Sequence, residues 1–193
     1  MQLEVLGVGG AGCRIADAIR AAEPADHSFL TDVVAFDTDA ADLSRTVIPE
    51  SRRVRYGPDD EGGLAGDLER GRTVGREYAT DLLERRDGDA PTADAVLVTV
   101  GLGGATGGGT VPALVETLQQ RADIPVYVLA TLPADREFDA TAAASGSGPE
   151  RRVSDPSADE TPPRPDAATN AVATLERLHG VASAIICFDN EAW

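Results

Sequence analysis

Residues 98–114 read VTVGLGGATGGGTVPAL and join an apolar segment to a helical one. The apolar segment, 93–100, is almost uninterrupted, which is typical of a parallel strand buried on both faces. A helix is predicted over 110–121, with Pro112 tolerated in its first turn. The glycines between them leave backbone N–H groups unobstructed, and Thr106 adds a hydroxyl. Such a loop suits a polyanion better than it suits a simple connection, and a flexible linker is the alternative.

A second glycine loop lies near the start of the chain. Residues 7–12 read GVGGAG and follow a strand predicted over 3–8, with a helix predicted over 12–22. Strand, GxGxxG and helix in this order form a phosphate-binding turn, and Asp37 follows a second strand where dinucleotide folds place a ribose-binding acid. Alone, this pattern favours an NAD site, or only a tight turn. Together, the two loops indicate that a phosphate chain is held from two strand ends.

The other segments continue the alternation of strands and helices. Strands are predicted over 52–56, 125–131 and 184–188, and helices over 67–86, capped by Asp67, and 169–179. The fold class is therefore α/β, a three-layer, mainly parallel Rossmann-like sheet with helices on both faces. We expect 1–138 and 169–193 to form the nucleotide-binding domain. Residues 139–168, rich in Ala, Ser, Gly and Pro, are expected to be a disordered insertion.

Composition excludes several functions. The chain has 193 residues and a net charge of −16, and all 17 of its basic residues are Arg. Without lysine, the standard P-loop and Schiff-base chemistry are excluded, and the acidity argues against nucleic acid as a partner. No transmembrane segment or signal peptide is evident, so the expected location is the cytoplasm. The acidic, lysine-free composition suggests a salt-adapted, halophilic source.

The two cysteines give neither a disulfide framework nor metal-ligand spacing. Cys13 begins the first helix beside the glycine loop and is interpreted as a small residue lining the site. Cys187, in the strand predicted over 184–188, is expected in the core.

Several segments, in order, resemble motifs of the tubulin/FtsZ superfamily. The signature GGGTG[ST]G is similar to 103–109, with Ala105 replacing a glycine and Gly108 replacing Thr or Ser. GVGGAGCRI at 7–15 resembles the first nucleotide loop, with Arg14 where bacterial members often carry Asn. FDTDAADL at 36–43 resembles the segment after strand two. GDLERGR at 66–72 resembles the γ-phosphate loop, LPADRE at 132–137 the ribose loop, and FDNEAW at 188–193 the segment whose Asn contacts guanine.

The resemblance implies a site for GTP or GDP, with Mg²⁺ held by Asp67 and Glu69. The residues that it places at the nucleotide are Gly9, Gly10, Ala11, Gly12, Cys13, Asp39, Gly66, Asp67, Gly103, Gly104, Ala105, Thr106, Gly107, Gly108, Glu137 and Asn190.

The implied function is that of a guanine-nucleotide-binding cytoskeletal protein, archaeal and CetZ- or FtsZ-like. In this superfamily a catalytic acid loop follows a long central helix, and the sequence offers no candidate for that loop or for the C-terminal domain beyond it. We therefore expect no self-sufficient GTP hydrolysis. The family's guanine site also takes a second base contact from that central helix, so we expect weak nucleotide binding, with FtsZ- or CetZ-like filament subunits as partners. Two alternatives stay open: an NAD(P)-binding oxidoreductase domain, and an interaction module that binds no nucleotide.

Overall fold

The computed structural model describes residues 1–58, 63–86, 93–134 and 166–190. Glu137 and most of the predicted insertion, 139–165, lie outside these residues. Six strands are described: β1 (Leu3–Val8), β2 (Leu30–Asp37), β3 (Arg53–Arg55), β4 (Ala95–Gly101), β5 (Val126–Leu132) and β6 (Ala184–Asp189). The α-helices in these residues are α1 (Gly9–Ala21), α2 (Ala40–Ser44), α3 (Leu68–Arg85), α4 (Ala105–Arg121) and α5 (Ala167–Leu178). None of them is long and apolar enough to cross a membrane.

The six strands form one parallel sheet in the order β3-β2-β1-β4-β5-β6. Leu6 of β1 pairs with Val34 of β2 on one side and with Val98 of β4 on the other. The chain runs outward from β1 to β3 and then returns to β4 beside β1, so the strand order reverses at this point. Parallel sheets bind ligands at the carboxyl ends of the strands where the order reverses, which is where both glycine loops lie.

Helices cover both faces of the sheet, as the predicted three-layer architecture requires. On one face α1 packs over β1, β2 and β4, around Val5, Ala16 and Ile48. On the other face α3, α4 and α5 cover a larger core that includes Leu6 and Leu114. Because alternate residues of a strand point to opposite faces, β1 contributes to both cores, which explains why Val5, Leu6 and Val8 are all fully buried.

Helices α3 and α4 approach each other through glycine. A Cβ at Gly71 would collide with the Ala105 carbonyl oxygen, and one at Gly109 would collide with the backbone of Gly71. A Cβ at Gly75 would lie 2.5 Å from the Cα of Thr110. The two helix backbones are therefore in direct contact, which only residues without a side chain permit.

The prediction that α4 begins at Thr110 was wrong. The helix begins at Ala105, so Gly107, Gly108 and Gly109 are helical and Pro112 lies inside the helix rather than in its first turn. Proline has no N–H to donate to the carbonyl four residues earlier, which is that of Gly108. The Thr174 hydroxyl of α5 lies 3.3 Å from this carbonyl oxygen and 2.8 Å from that of Asn170, so its single hydrogen is shared and only partly replaces the missing helical hydrogen bond.

Strand β6 is largely exposed, and the expectation that Cys187 lies in the core was wrong. Ile185 packs against the larger core, but Ile186 and Phe188 are 49% and 48% exposed and Cys187 is also exposed. Strand β6 is the edge strand of the sheet. Helix α1 packs substantially on β1, β2 and β4 but does not extend over β6. Strand β6 therefore has the apolar sequence of a buried strand, but no described helix packs on the face that carries Ile186 and Phe188.

Candidate functional site

The two glycine loops form one mouth at the carboxyl ends of β1 and β4. Helix α1 begins at Gly9, directly after β1, and α4 begins at Ala105, after the short turn that follows β4. Gly9 has a φ of +72°, and a Cβ there would lie 2.9 Å from the Gly107 nitrogen. The N-termini of α1 and α4 therefore lie side by side. Their unpaired amides and positive dipole ends make this mouth suited to an anion.

The first turn of α1 is pressed against β4. A Cβ at Gly12 would collide with the Thr99 carbonyl oxygen, and the Thr99 hydroxyl donates to the Gly12 carbonyl at 2.7 Å. Ala11 points towards the other loop, because a Cβ at Gly101 would lie 2.7 Å from its own Cβ. The GxGxxG sequence thus meets two demands, an open mouth and close packing of the helix on the sheet.

Cys13 faces the sheet and not the mouth. Its thiol lies 3.5 Å from the Phe36 carbonyl oxygen and 3.6 Å from that of Gly7, and it is fully buried. Burial raises the pKa of this thiol well above its ordinary value, and the nearby Asp37 acts in the same direction. The side chain is therefore an inert core group, and the prediction that it lines the nucleotide site has no support from its position.

Gly10 is covered by two charged side chains. A Cβ at Gly10 would collide with the Asp42 carboxylate and would lie 3.4 Å from a guanidinium nitrogen of Arg14. Asp42 also forms an ion pair with Arg45 at 3.1 Å. The first turn of α1 thus has charges of both signs beside it, and Asp42 was not among the predicted site residues.

The segment after β2 brings two polar residues to the mouth. The Asp39 carboxylate accepts the N–H of Ala41 at 2.8 Å and caps α2, so the structure gives this predicted nucleotide ligand a local role. Thr38, which the sequence analysis did not single out, is 1% exposed and shares a 2.8 Å hydrogen bond between its hydroxyl and that of Thr106. The position of Thr38 between Asp37 and Asp39, directly after a predicted strand, was the sequence feature that could have identified it as a site residue.

Asp37 is a buried carboxyl behind this segment. Oδ1 accepts the N–H of Asp39 at 3.1 Å, and Oδ2 is buried without a hydrogen-bond partner. Burial raises the pKa of this carboxyl to about 7, and the negative charges of Asp42 and Asp39 contribute to the rise. Near neutral pH its protonated and ionised forms are therefore both populated.

The predicted γ-phosphate segment lies before α3. Gly66 has a φ of +81°, and Asp67 caps α3 by accepting the N–H of Arg70 at 3.0 Å. Glu69 forms an ion pair with Arg72. Across residues 1–58, 63–86, 93–134 and 166–190 no group of three His, Cys, Asp or Glu side chains could hold a metal ion by itself. A magnesium ion at Asp67 would therefore depend on phosphate oxygens for further ligands, as Mg²⁺ commonly does.

The β4–α4 turn is closely packed against neighbouring elements of the structure. Gly104 is the N-cap of α4, and Gly103 lies under α5, since a Cβ there would be 3.0 Å from that of Ala167. Gly107 and Gly108 serve packing in addition: a Cβ at the first would lie 3.0 Å from the Val8 carbonyl oxygen, and at the second 2.8 Å from the Thr174 hydroxyl. Their conformational freedom is not what these positions require, because both are helical.

Asn190 lies at the carboxyl end of β6, on the same side of the sheet as the two glycine loops. It follows β6, which is separated from β4 by one strand, and Gly101, Thr131 and Phe188 are aligned across these three strands. Two strand spacings amount to about 10 Å. Asn190 thus lies at the carboxyl ends of the strands, as both glycine loops do, but well away from them, and its contact with the base stays a prediction.

Comparisons with known proteins agree with this geometry. The sequence pattern described as "Tubulin/FtsZ family, GTPase domain" matches residues 2–147. The tubulin-like protein CetZ5 of Haloferax volcanii is 31% identical over 199 aligned positions, which cover 100% of this chain and 44% of CetZ5. The cell division protein FtsZ 1 of Archaeoglobus fulgidus is 30% identical over 196 positions, covering 98% of this chain and 42% of that protein.

Solved structures show the same fold. The GDP-bound monomer of CetZ1 from Haloferax volcanii superimposes with a TM-score of 0.80 at 26% identity, covering 100% of this chain and 52% of CetZ1. The GTPγS-bound protofilament of CetZ2 from the same organism gives a TM-score of 0.79 at 28% identity, covering 100% and 50%. The chain thus spans about half the length of the relatives it matches. With the pattern matched over most of its length and the parallel sheet and paired glycine loops in place, this chain belongs to the tubulin/FtsZ family.

Proposed function

We propose that this chain binds guanine nucleotide at the mouth between β1 and β4. The observation that carries the proposal is the contact of Gly9 with Gly107, which brings two helix N-termini together at one point. Helix termini supply backbone N–H groups and a positive dipole without any lysine, and the chain has none. The GDP-bound CetZ1 and GTPγS-bound CetZ2 structures, which share the fold, support the choice of nucleotide.

The phosphates would meet the first turns of α1 and α4, at Gly10 to Gly12 and at Gly104 to Thr106. The base would extend along the strand ends towards Asn190. Asp67 would be the ligand of a magnesium ion bound together with the phosphates, whereas Glu69 is engaged by Arg72. The net charge of −16 opposes the approach of an anionic nucleotide, so we expect weak binding that strengthens when salt screens this repulsion.

The cellular role that we propose is cytoskeletal: the chain joins or regulates filaments of FtsZ- or CetZ-like subunits in the cytoplasm. The protofilament formed by CetZ2 supports this part. We further propose that these 193 residues do not hydrolyse GTP by themselves.

Thermal unfolding with GTP, GDP and NAD, each titrated in molar salt, tests the binding. A ligand that binds only the folded state stabilises it by RT ln(1 + [L]/Kd), about 2.7 kcal/mol at a hundredfold excess over Kd. GTP and GDP should raise the unfolding temperature and NAD should not. Stabilisation by NAD alone would support the oxidoreductase reading instead, and no response to any of the three would support a module that binds no nucleotide.

Two variants of one helix localise the site. Ala11→Asp places a carboxylate in the mouth and should abolish the response to GTP, whereas Ala18→Asp adds the same charge on an exposed part of α1 and should leave the response intact. Equal loss in both variants would move the site elsewhere.

Phosphate release from GTP tests the second part of the proposal. The chain alone should release no phosphate above the uncatalysed rate. Steady release that increases in proportion to the concentration of this chain would contradict it.

A further inference from the structure

One side chain of α5 connects the two segments that carry the predicted phosphate contacts. The Asn170 side-chain nitrogen donates to the Gly66 carbonyl at 3.2 Å and to the Gly103 carbonyl at 3.3 Å. Gly66 lies just before the N-cap of α3, and Gly103 lies in the turn before α4. A side-chain amide has two N–H groups, and here each is directed to a different loop.

These hydrogen bonds are sheltered from solvent. Asn170 is 7% exposed, and Thr174, one turn further along α5, donates to the Asn170 carbonyl at 2.8 Å. The same hydroxyl lies 3.3 Å from the Gly108 carbonyl oxygen, where α5 packs against α4. The amide of Asn170 therefore projects from a helix that is itself fixed against α4, so its position is well defined.

The segment that Asn170 holds has an unusual backbone. Gly63, Ala65 and Gly66 have φ values of +68°, +48° and +81°. Ala65 has the only positive φ of any non-glycine residue in the described ranges, and a side chain in this region costs about 1–2 kcal/mol. A strained segment keeps such a conformation only where its surroundings restrain it, and the Gly66 carbonyl is one point of restraint.

We propose that Asn170 is a positioning residue that holds the segment 63–67 in place for the third phosphate of a nucleoside triphosphate. The inference rests on the proposed function, because it assumes that the mouth takes guanine nucleotide. Asn170 fixes Gly66 relative to the start of α4, so the triphosphate meets a preformed site and does not have to order the segment on binding. The resemblance places at this segment the third phosphate, which a diphosphate lacks, so a diphosphate gains little from the restraint. Asn170 therefore contributes to discrimination between GTP and GDP.

Hydrogen exchange without nucleotide tests the restraint itself. Asn170→Ala should speed exchange of the amides in 63–67 and in 103–105. Leu178→Ala is the matched control, since Leu178 is a fully buried residue of the same helix that lies two turns away. It should destabilise the protein without a selective change in these two segments. Equal protection of 63–67 in the wild type and Asn170→Ala would overturn the proposal.

The affinities for GTP and GDP test its consequence. Asn170→Ala should weaken GTP binding about tenfold, as the loss of two neutral hydrogen bonds suggests, and GDP binding about twofold or less. Leu178→Ala should change both affinities by the same factor. A GTP-to-GDP ratio in Asn170→Ala equal to that of the wild type would overturn the proposal.

Asn170→Ser serves if the alanine variant does not fold, because it keeps a polar group that is too short to reach both carbonyls. It should change the ratio in the same direction, and an unchanged ratio counts against the proposal. A wild type that binds neither nucleotide would refute the proposed function. The exchange experiment, which uses no nucleotide, would then decide on its own whether Asn170 holds the two segments.

Discussion

The hydroxyl of Thr38 lies 2.8 Å from that of Thr106, so the end of β2 is tied to the first turn of α4. Thr106 is the side chain of the glycine signature that is best placed to contact a phosphate. Thr38 is buried, and a Cβ at Gly57 would lie 3.3 Å from its methyl group, so its rotamer is constrained by its surroundings. The hydroxyl of Thr106 is thus oriented before any ligand arrives.

We predict that Thr38→Val weakens guanine-nucleotide binding, whereas Thr38→Ser retains most of it. Valine keeps the shape of threonine but leaves the Thr106 hydroxyl without this partner, which should cost about 1 kcal/mol of binding, or roughly fivefold in Kd. Titration calorimetry on both variants measures the effect. Similar affinities in the two variants would show that the hydrogen bond does not orient Thr106.

Gly71→Ala should strongly destabilise the protein because its methyl group would collide with the Ala105 carbonyl. Overpacking of this kind costs about 1–3 kcal/mol, and here the obstacle is backbone rather than a movable side chain. Gly180→Ala provides the comparison: Gly180 has a φ of +82° but nothing within 4 Å of its would-be Cβ, so strain alone should cost about 1 kcal/mol. Denaturant unfolding should place Gly71→Ala well below Gly180→Ala in stability, and the reverse order would contradict the close approach of α3 to α4.

Asp37 should make stability depend on pH. Its pKa is about 7 in the folded protein and about 3.9 when unfolded, so between these values the folded state binds more protons. Stability is therefore highest at low pH as far as this group is concerned, and it falls as the pH rises from about 4 to about 7.

Asp37→Asn removes this titration. The free energy of unfolding of the variant, minus that of the wild type, should increase by on the order of 2 kcal/mol as the pH rises from about 4 to about 8. Urea unfolding of both proteins across this range measures the difference. A difference that stays constant with pH would show that Asp37 titrates normally.

The two thiols should differ in reactivity. Cys187 is exposed and should react rapidly with a maleimide in the native protein, whereas Cys13 is buried with a raised pKa and should react only after unfolding. Mass spectrometry should show one adduct under native conditions and two in denaturant. Cys187→Ser should show none under native conditions, and a native adduct in that variant would contradict the burial of Cys13.

The alternation of strands and helices could be predicted from the sequence because buried parallel strands leave a simple apolar pattern. The strand at 3–8 was located correctly for this reason. The Asp67 cap was located correctly because aspartate before an amphipathic segment accepts a hydrogen bond from the first turn of the helix. The start of α4 was not, because the glycines that usually mark a loop here serve close packing inside a helix. Cys187 was misplaced because its apolar neighbours resemble those of a buried strand, whereas exposure depends on which helices reach the edge of the sheet.

The additional residues at the site depend on contacts between distant parts of the chain. Thr38 meets Thr106 and Asn170 meets Gly66 only when separate loops come together. No local spacing reports such a pair, so the structure was needed to find both. The predicted ligand Glu137 lies outside the described residues and stays a prediction.

The direct contact between α3 and α4 changes how the glycine signature can be used to infer activity across genomes. Gly107, Gly108 and Gly109 are needed where backbone meets backbone, whether or not a nucleotide is present. Selection for a folded protein would therefore keep these three glycines in a descendant that no longer bound nucleotide. Glycine at these three positions is therefore evidence of the fold and not, by itself, of a working site.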